Sequence, residues 1–290
     1  MPNGEPRVAL RSPALLGETP VWNESERRLY WIDSIAAKIH RFDPAAGADE
    51  TLPAELYGYL GSIALVADGG LLVLCGKSLM RLAPGAGRAE PVTAVEAGLP
   101  DNAPNDGKVD PQGRFWFGTM HAAVSQPTGA LYSYDPKLGL KRHDGGFACA
   151  NGIAWSPGGG TLYFVDMMPG RILAYDFDGR AGAIGNRRVF AAIDSKEGMP
   201  DGICADAEGS IWAAHWDGRC VTRYDAKGRR TDKVEVPVPR PTCPIFGGPG
   251  LRTLYVTSSA DTVADQAPLS GSIFAWEPRV PGIPIARYAG

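Results

Sequence analysis

Four oxygen-bearing side chains recur in phase along this chain of 290 residues: Glu18, Asn105, Asn151 and Asp201. Each opens an apolar stretch. Glu18 lies in Leu16-Gly17-Glu18-Thr19-Pro20-Val21-Trp22, and Asn105 in Pro104-Asn105-Asp106-Gly107-Lys108-Val109. Asn151 lies in Ala150-Asn151-Gly152-Ile153, and Asp201 in Pro200-Asp201-Gly202-Ile203. Brought to one axis, two carboxylates and two amides form a hard donor set that suits Ca²⁺, Mg²⁺, Mn²⁺ or Zn²⁺. Taken singly, Asn-Gly and Asp-Gly read as turn dipeptides, because Asn and Asp tolerate left-handed backbone and bond their own chain. Three features favour a shared site: the positions are in phase, the phase falls at the mouth of the channel that the repeats imply, and Glu18 is no turn former.

Six repeats supply the elements that would gather these groups. An apolar strand recurs a little over forty residues apart, as Leu29-Tyr30-Trp31-Ile32-Asp33, Leu71-Leu72-Val73-Leu74-Cys75 and Phe115-Trp116-Phe117-Gly118-Thr119. It returns as Leu162-Tyr163-Phe164-Val165-Asp166, Ile211-Trp212-Ala213-Ala214-His215 and Leu254-Tyr255-Val256-Thr257-Ser258. Polar turns such as Asp110-Pro111-Gln112-Gly113-Arg114 and Asp206-Ala207-Glu208-Gly209-Ser210 precede most copies. Short strands at this period predict an all-β, six-bladed β-propeller, one four-stranded blade per repeat. The repeats span residues 18 to 276, so a single domain over 1–290 is expected. In the fourth repeat the pattern predicts an inner strand over 152–155 behind its Asn, a second over 161–166, a third over 171–176 and an outer strand near 188–190. A propeller left open exposes an edge strand. The strand-like segments 8–11 and 285–288 are therefore expected, one or both, to complete a blade, with 279–284 a loosely held connection.

Bulk composition narrows the class. A formal net charge of −3 without a Lys/Arg run gives no footprint for nucleic acid. No apolar stretch is long enough to span a bilayer, and the amino-terminal stretch through Arg7 lacks the apolar segment of a secretion signal. A cytoplasmic protein with no membrane partner is the expectation. The five cysteines, Cys75, Cys149, Cys204, Cys220 and Cys243, are odd in number and widely spaced, which indicates neither a disulfide framework nor a zinc site.

The quoted motifs, above all Asn105-Asp106-Gly107-Lys108-Val109-Asp110-x-x-Gly113-Arg114-Phe115-Trp116-x-Gly118-Thr119-Met120, resemble those of the SMP-30/gluconolactonase/LRE (regucalcin-like) family. Phe246-Gly247-Gly248-Pro249-x-Leu251-x-Thr253-Leu254-Tyr255 adds a match in the sixth repeat, so the resemblance covers essentially the whole chain. It implies a six-bladed propeller with one divalent metal ion (Ca, Zn, Mn, Mg or Fe) at the channel mouth. Carried over by position, it implies metal ligands Glu18, Asn151 and Asp201, a substrate contact at Asn105, and Asp201 as general base for the attacking water. The implied reaction is hydrolysis of a small sugar lactone, gluconolactone- or xylonolactone-like, to its aldonic acid in a sugar oxidation pathway.

One position departs from the family. Many members carry Arg two residues before the Asn of the third-repeat motif, where this chain has Ala103. A forked cation is a strong, directional anchor for oxygens, so the identity of the lactone does not carry over; Arg171, Arg219 or Lys196 are candidates to supply the charge from another loop. His121 and His215 each leave a second strand toward the expected rim and are candidates to hold substrate hydroxyls, with Trp216 placed to stack on a sugar face. No Gly-x-Ser-x-Gly elbow supports a serine nucleophile. Two other readings stay open: a metal-dependent propeller esterase or phosphotriesterase, and a Ca²⁺-binding propeller without turnover.

Overall fold

The computed structural model describes residues 5–263 and 267–290; residues 1–4, part of the stretch read for a secretion signal, lie outside it. Six four-stranded antiparallel sheets follow one another as the blades of a β-propeller. Blades 1 to 5 are built in chain order, inner strand to outer, over residues 17–51, 60–94, 102–147, 150–192 and 199–235. The sixth joins inner, second and third strands at Pro241–Gly247, Thr253–Ser258 and Ile273–Trp276 to the first strand of the chain, Arg7–Leu10, which pairs antiparallel with Ile273–Trp276.

The second strands explain why this sequence makes blades. Leu71–Cys75 is buried at every residue, because neighbouring blades cover both of its faces. Such a strand reads as a continuous apolar run, unlike the alternating pattern of a sheet with one wet face. Trp31, Trp116 and Trp212, one in each of three second strands, are fully buried. Outer strands such as Ala48–Thr51 are exposed throughout.

Two polar turns lock the lower face. Asp110 Oδ1 accepts the Gln112 and Arg114 amides at 2.9 and 3.0 Å, while Oδ2 accepts Arg114 Nε at 2.7 Å and Trp116 Nε1 at 2.9 Å. Asp206 repeats the arrangement in blade 5, with the Glu208 and Ser210 amides each at 3.0 Å, Trp212 Nε1 at 3.0 Å and Arg223 Nε at 2.7 Å. Each aspartate therefore ties a turn to the buried tryptophan of the strand that follows.

Of the two segments expected, one or both, to complete a blade, the amino-terminal one does so and the carboxy-terminal one has another role. Ring closure uses residues 7–10 alone, and 285–288 joins no blade. The segment crosses the lower end of the channel: Gly282 N–H bonds Leu251 O at 2.9 Å, Tyr288 N–H bonds Leu65 O at 2.8 Å, and Ala289 N–H bonds Gly113 O at 3.0 Å. Arg287 adds a 2.7 Å bond to Asn23, and Ala207 N–H bonds Pro281 O at 2.9 Å. Blades 1, 2, 3, 5 and 6 are thus all held by one segment, with Ile285 packed on two core clusters and Tyr288 buried. Apolar anchors hold it tightly, so it is no loose connection.

Candidate active site

At the upper end, every inner strand breaks register near its start. The irregularities fall between Glu18 and Val21, Leu60 and Ser62, Pro104 and Gly107, Ala150 and Ile153, Pro200 and Ile203, and Pro241 and Pro244. A bulge re-aims side chains that regular pairing would direct between blades. Asn105, Asn151 and Asp201 are bulge residues and Glu18 borders one, so they lie within the inner strands and not ahead of them. Next to Glu18, the β-branched Thr19 is held at φ 41°, a strained left-handed backbone.

The glycines after Asn151 and Asp201 are explained by packing. Neither has a positive φ. A Cβ on Gly152 would meet Asp201 O at 2.5 Å, and one on Gly202 would meet Cys243 Sγ at 2.4 Å. These Asn-Gly and Asp-Gly pairs are places where one inner strand passes close to the next, and they form no turn.

The bulges bring Glu18, Asn105, Asn151 and Asp201 together as buried side chains. Burial, with the negative field of Asp201 and Asp106 added, pushes the Glu18 carboxyl well above the usual range. Asp201 is raised likewise, by burial first and then by Asp106, against hydrogen bonds from Asn151 and the Gly202 amide. Asp201 Oδ1 is buried without a hydrogen-bond partner. Two close, desolvated carboxylates with an unpaired oxygen are costly unless a cation lies between them, so the donor set fits a divalent metal. Among the described residues no three His, Cys, Asp or Glu side chains form a metal-holding group by themselves, so the amide oxygen of Asn151 would have to complete the set.

Asn105 is fixed by its neighbours. Its Nδ2 donates to Ala150 O at 2.9 Å and lies 3.5 Å from Cys149 Sγ, which leaves its carbonyl oxygen as the group to offer a ligand. Asn151 Nδ2 reaches Met167 Sδ at 3.5 Å. Below the mouth, Lys108 Nζ crosses to Ile203 O at 2.7 Å and tempers the raised Asp106 carboxyl.

The two histidines part company. His121 sits on the rim, half-buried, with Nδ1 accepting the Ala123 amide at 3.3 Å and lying 3.2 Å from Ser125 Oγ. His215 is wholly buried inside blade 5: Nδ1 lies 2.9 Å from Glu197 O and Nε2 2.7 Å from Thr222 Oγ1. Both ring nitrogens are engaged, one by the rim turn at Glu197 and the other by Thr222 within the blade, so the substrate contact expected of His215 is not available. Trp216 is likewise covered, by the Arg240 guanidinium 4.6 Å above its ring. All five cysteines are free and buried.

A sequence model of the SMP-30/Gluconolactonase/LRE-like region matches residues 16–260. The chain belongs to the SMP-30/gluconolactonase/LRE family. It is 36% identical to the 6-deoxy-6-sulfogluconolactonase of Pseudomonas putida over 98% of both chains. It is 34% identical to regucalcin of Xenopus laevis over 89% of each. The crystal structure of the calcium-binding protein regucalcin from Agrobacterium tumefaciens superposes with a TM-score of 0.93 at 29% identity, covering 100% of this chain and 99% of that one.

Two groups at this SMP-30-type mouth escape a reading of the sequence. Asp106 follows Asn105 and reads as part of its motif, yet it is a third buried carboxylate whose Oδ2 lacks a hydrogen-bond partner. Tyr59 stands just ahead of blade 2, where the in-phase position is Gly61. Its hydroxyl is sunk beside Ser34, and burial plus the charges of Glu18 and Asp201 push its pKa up, so it stays a hydrogen-bond donor. The signal was its place immediately before an inner strand.

Proposed function

We propose that this protein is a metal-dependent sugar lactonase that hydrolyses a small aldonolactone to its aldonic acid. The observation that carries the reading is the Glu18–Asp201 pair: two buried carboxylates beside Asn151, with Asp201 Oδ1 unpartnered. The 6-deoxy-6-sulfogluconolactonase relative, aligned over nearly the full length of both chains, supports a lactone as substrate. Glu18, Asn151 and Asp201 would hold the cation, which when bound supplies Lewis-acid polarisation of a carbonyl and lowers the pKa of water.

The chain's own residues supply the rest. Asn105 and Tyr59 orient the lactone, the first by its carbonyl oxygen and the second by a hydroxyl that does not ionise at neutral pH. Asp201 takes the proton of the attacking water and returns it to the ring oxygen as the acyl–oxygen bond breaks. Burial keeps bulk water from competing for these groups. His121, on the rim, serves substrate hydroxyls.

The test is acid release from five- and six-membered lactones by chelator-treated protein reloaded with single metals. About one equivalent of metal and metal-dependent turnover are expected. Normal metal binding and full activity in Glu18→Gln or Asp201→Asn would sink the reading. Metal binding without turnover on any lactone would favour the calcium-binding alternative that the regucalcin relatives keep open.

A further inference from the structure

Building on the lactonase reading, we propose that Arg171 is the specificity-determining cation of the mouth, and that the substrate is a lactone carrying an anionic substituent remote from its carbonyl. Strand register locates it. Ala150, the residue before Asn151, pairs with Asp166, and Asp166 pairs with Arg171, so all three stand on one rung of blade 4 at the height of the site. Residues directly opposite in antiparallel strands share a face. This face looks toward blade 3, since Gly118 of blade 3 packs against Ala150 and the Asn105 amide bonds Ala150 O at 2.9 Å.

The space left by Ala103 borders the same face. Ala103 pairs with Met120, Met120 bridges Cys149, and Cys149 Sγ lies 3.8 Å from Met120 Sδ. A continuous line of contacts therefore runs from Ala103 through Met120, Cys149 and Ala150 to Asp166 and Arg171. Two strand spacings, about 10 Å, separate the inner strand from the Arg171 backbone, and the guanidinium leans inward across the first of them to Asp166.

The guanidinium has donors to give. Its bond to Asp166 is a single 3.2 Å contact, its side chain is 39% exposed, and its Nε is buried without a hydrogen-bond partner. Asp166 also feels Arg187 from the outer side, so it does not depend on Arg171 alone. Two other rim cations are committed elsewhere. Lys77 bonds the carbonyls of Leu99 and Asn102, and Arg240 bonds Asp217, Asp261 O and Thr262 while lying over Trp216. Arg219 lines a separate groove of about 680 Å³ with Lys233 and Glu235. A planar fork beside an oxygen-binding mouth suits a carboxylate, sulfonate or phosphate.

Matched lactones test this: a neutral aldonolactone against the same ring bearing a terminal carboxylate, sulfonate or phosphate, whose relative rates identify the anion. In Arg171→Gln the KM for the anionic member should rise roughly ten- to a hundredfold, while the neutral member changes less than about twofold. Arg171→Lys should keep part of the preference, because charge remains while the fork is lost. Equal changes on both lactones, or a wild-type preference for the neutral one, overturn the assignment. Arg171→Gln combined with Asp166→Asn repeats the measurement without an unpaired buried carboxylate, should the single variant fold poorly.

Calorimetric binding of the ring-opened acids separates this proposal from the lactonase reading. If neither lactone is hydrolysed but the doubly acidic compound binds wild type at least about tenfold tighter than Arg171→Gln, the lactonase reading fails and the Arg171 assignment stands. Hydrolysis of both with no discrimination sinks the assignment and leaves the lactonase reading intact. No hydrolysis and no difference in binding overturns both.

Discussion

A carboxylate raised by burial and by its neighbours opposes folding when it must ionise. Glu18 and Asp201 both have folded-state pKa values above their ordinary ones, 4.5 and 3.8. The sign follows: the metal-free protein is best served where both stay protonated, and it loses stability as pH rises from about 4 through the raised values. Asp201→Asn removes that penalty. Its metal-free form should melt higher than metal-free wild type at pH 7, while lactone hydrolysis falls at least about a hundredfold, since the proposed metal ligand and the proposed base are one residue. Melting curves with and without chelator check this, and a lower melting temperature for metal-free Asp201→Asn counts against it. At this scale the sequence was legible in part. Convergence of Glu18, Asn105, Asn151 and Asp201 could be read because phase is periodic. The burial of His215 could not, because its partners Thr222 and Glu197 O lie on another strand and a rim turn.

Elements aim these side chains, and the bulges do most of it. Gly202→Ala would place a methyl group 2.4 Å from Cys243 Sγ, forcing the inner strands of blades 5 and 6 apart. Overpacking of this kind costs about 1–3 kcal/mol, and the shift displaces Asp201, so activity should fall by more than the loss of folded protein explains. A true Asp-Gly turn would give a different result: normal specific activity in whatever remains folded. The aspartate turns are the second element-scale device. Asp206→Ala takes their shared acceptor from Arg223 Nε and Trp212 Nε1 while Arg223 keeps Glu208 at 2.8 Å, so the cost is that of buried donors left unsatisfied, about 1–3 kcal/mol. Urea unfolding measures it, with a loss below about 1 kcal/mol contradicting the account. The strands themselves were readable from runs such as Leu71–Cys75. The bulges were not, since a register break is a relation between two strands and has no single-strand signature.

For the whole molecule, repeat number set the six blades, whereas closure had two candidate segments of equal strand character. Residues 7–10 won because they find an unpaired edge at Ile273–Trp276, and 282–289 instead finds apolar cover beneath the channel. Ending the chain after Pro281 should therefore cost at least about 3 kcal/mol by apolar burial alone, read by thermal unfolding. An unchanged melting temperature would mean that the floor is held by the blades without it. The same segment has a consequence for synthesis. The strand that closes the ring precedes blades 1 to 5 in the chain, its partner at Ile273–Trp276 follows them, and the cross-brace comes later still. A nascent chain can stack blades 1 to 5 as they leave the ribosome, but it carries an open edge and an uncovered apolar floor until residues 273–289 clear the exit tunnel. The hazard of aggregation is thus concentrated in the interval between completion of blade 5 and emergence of residues 273–289, where chaperone protection counts most.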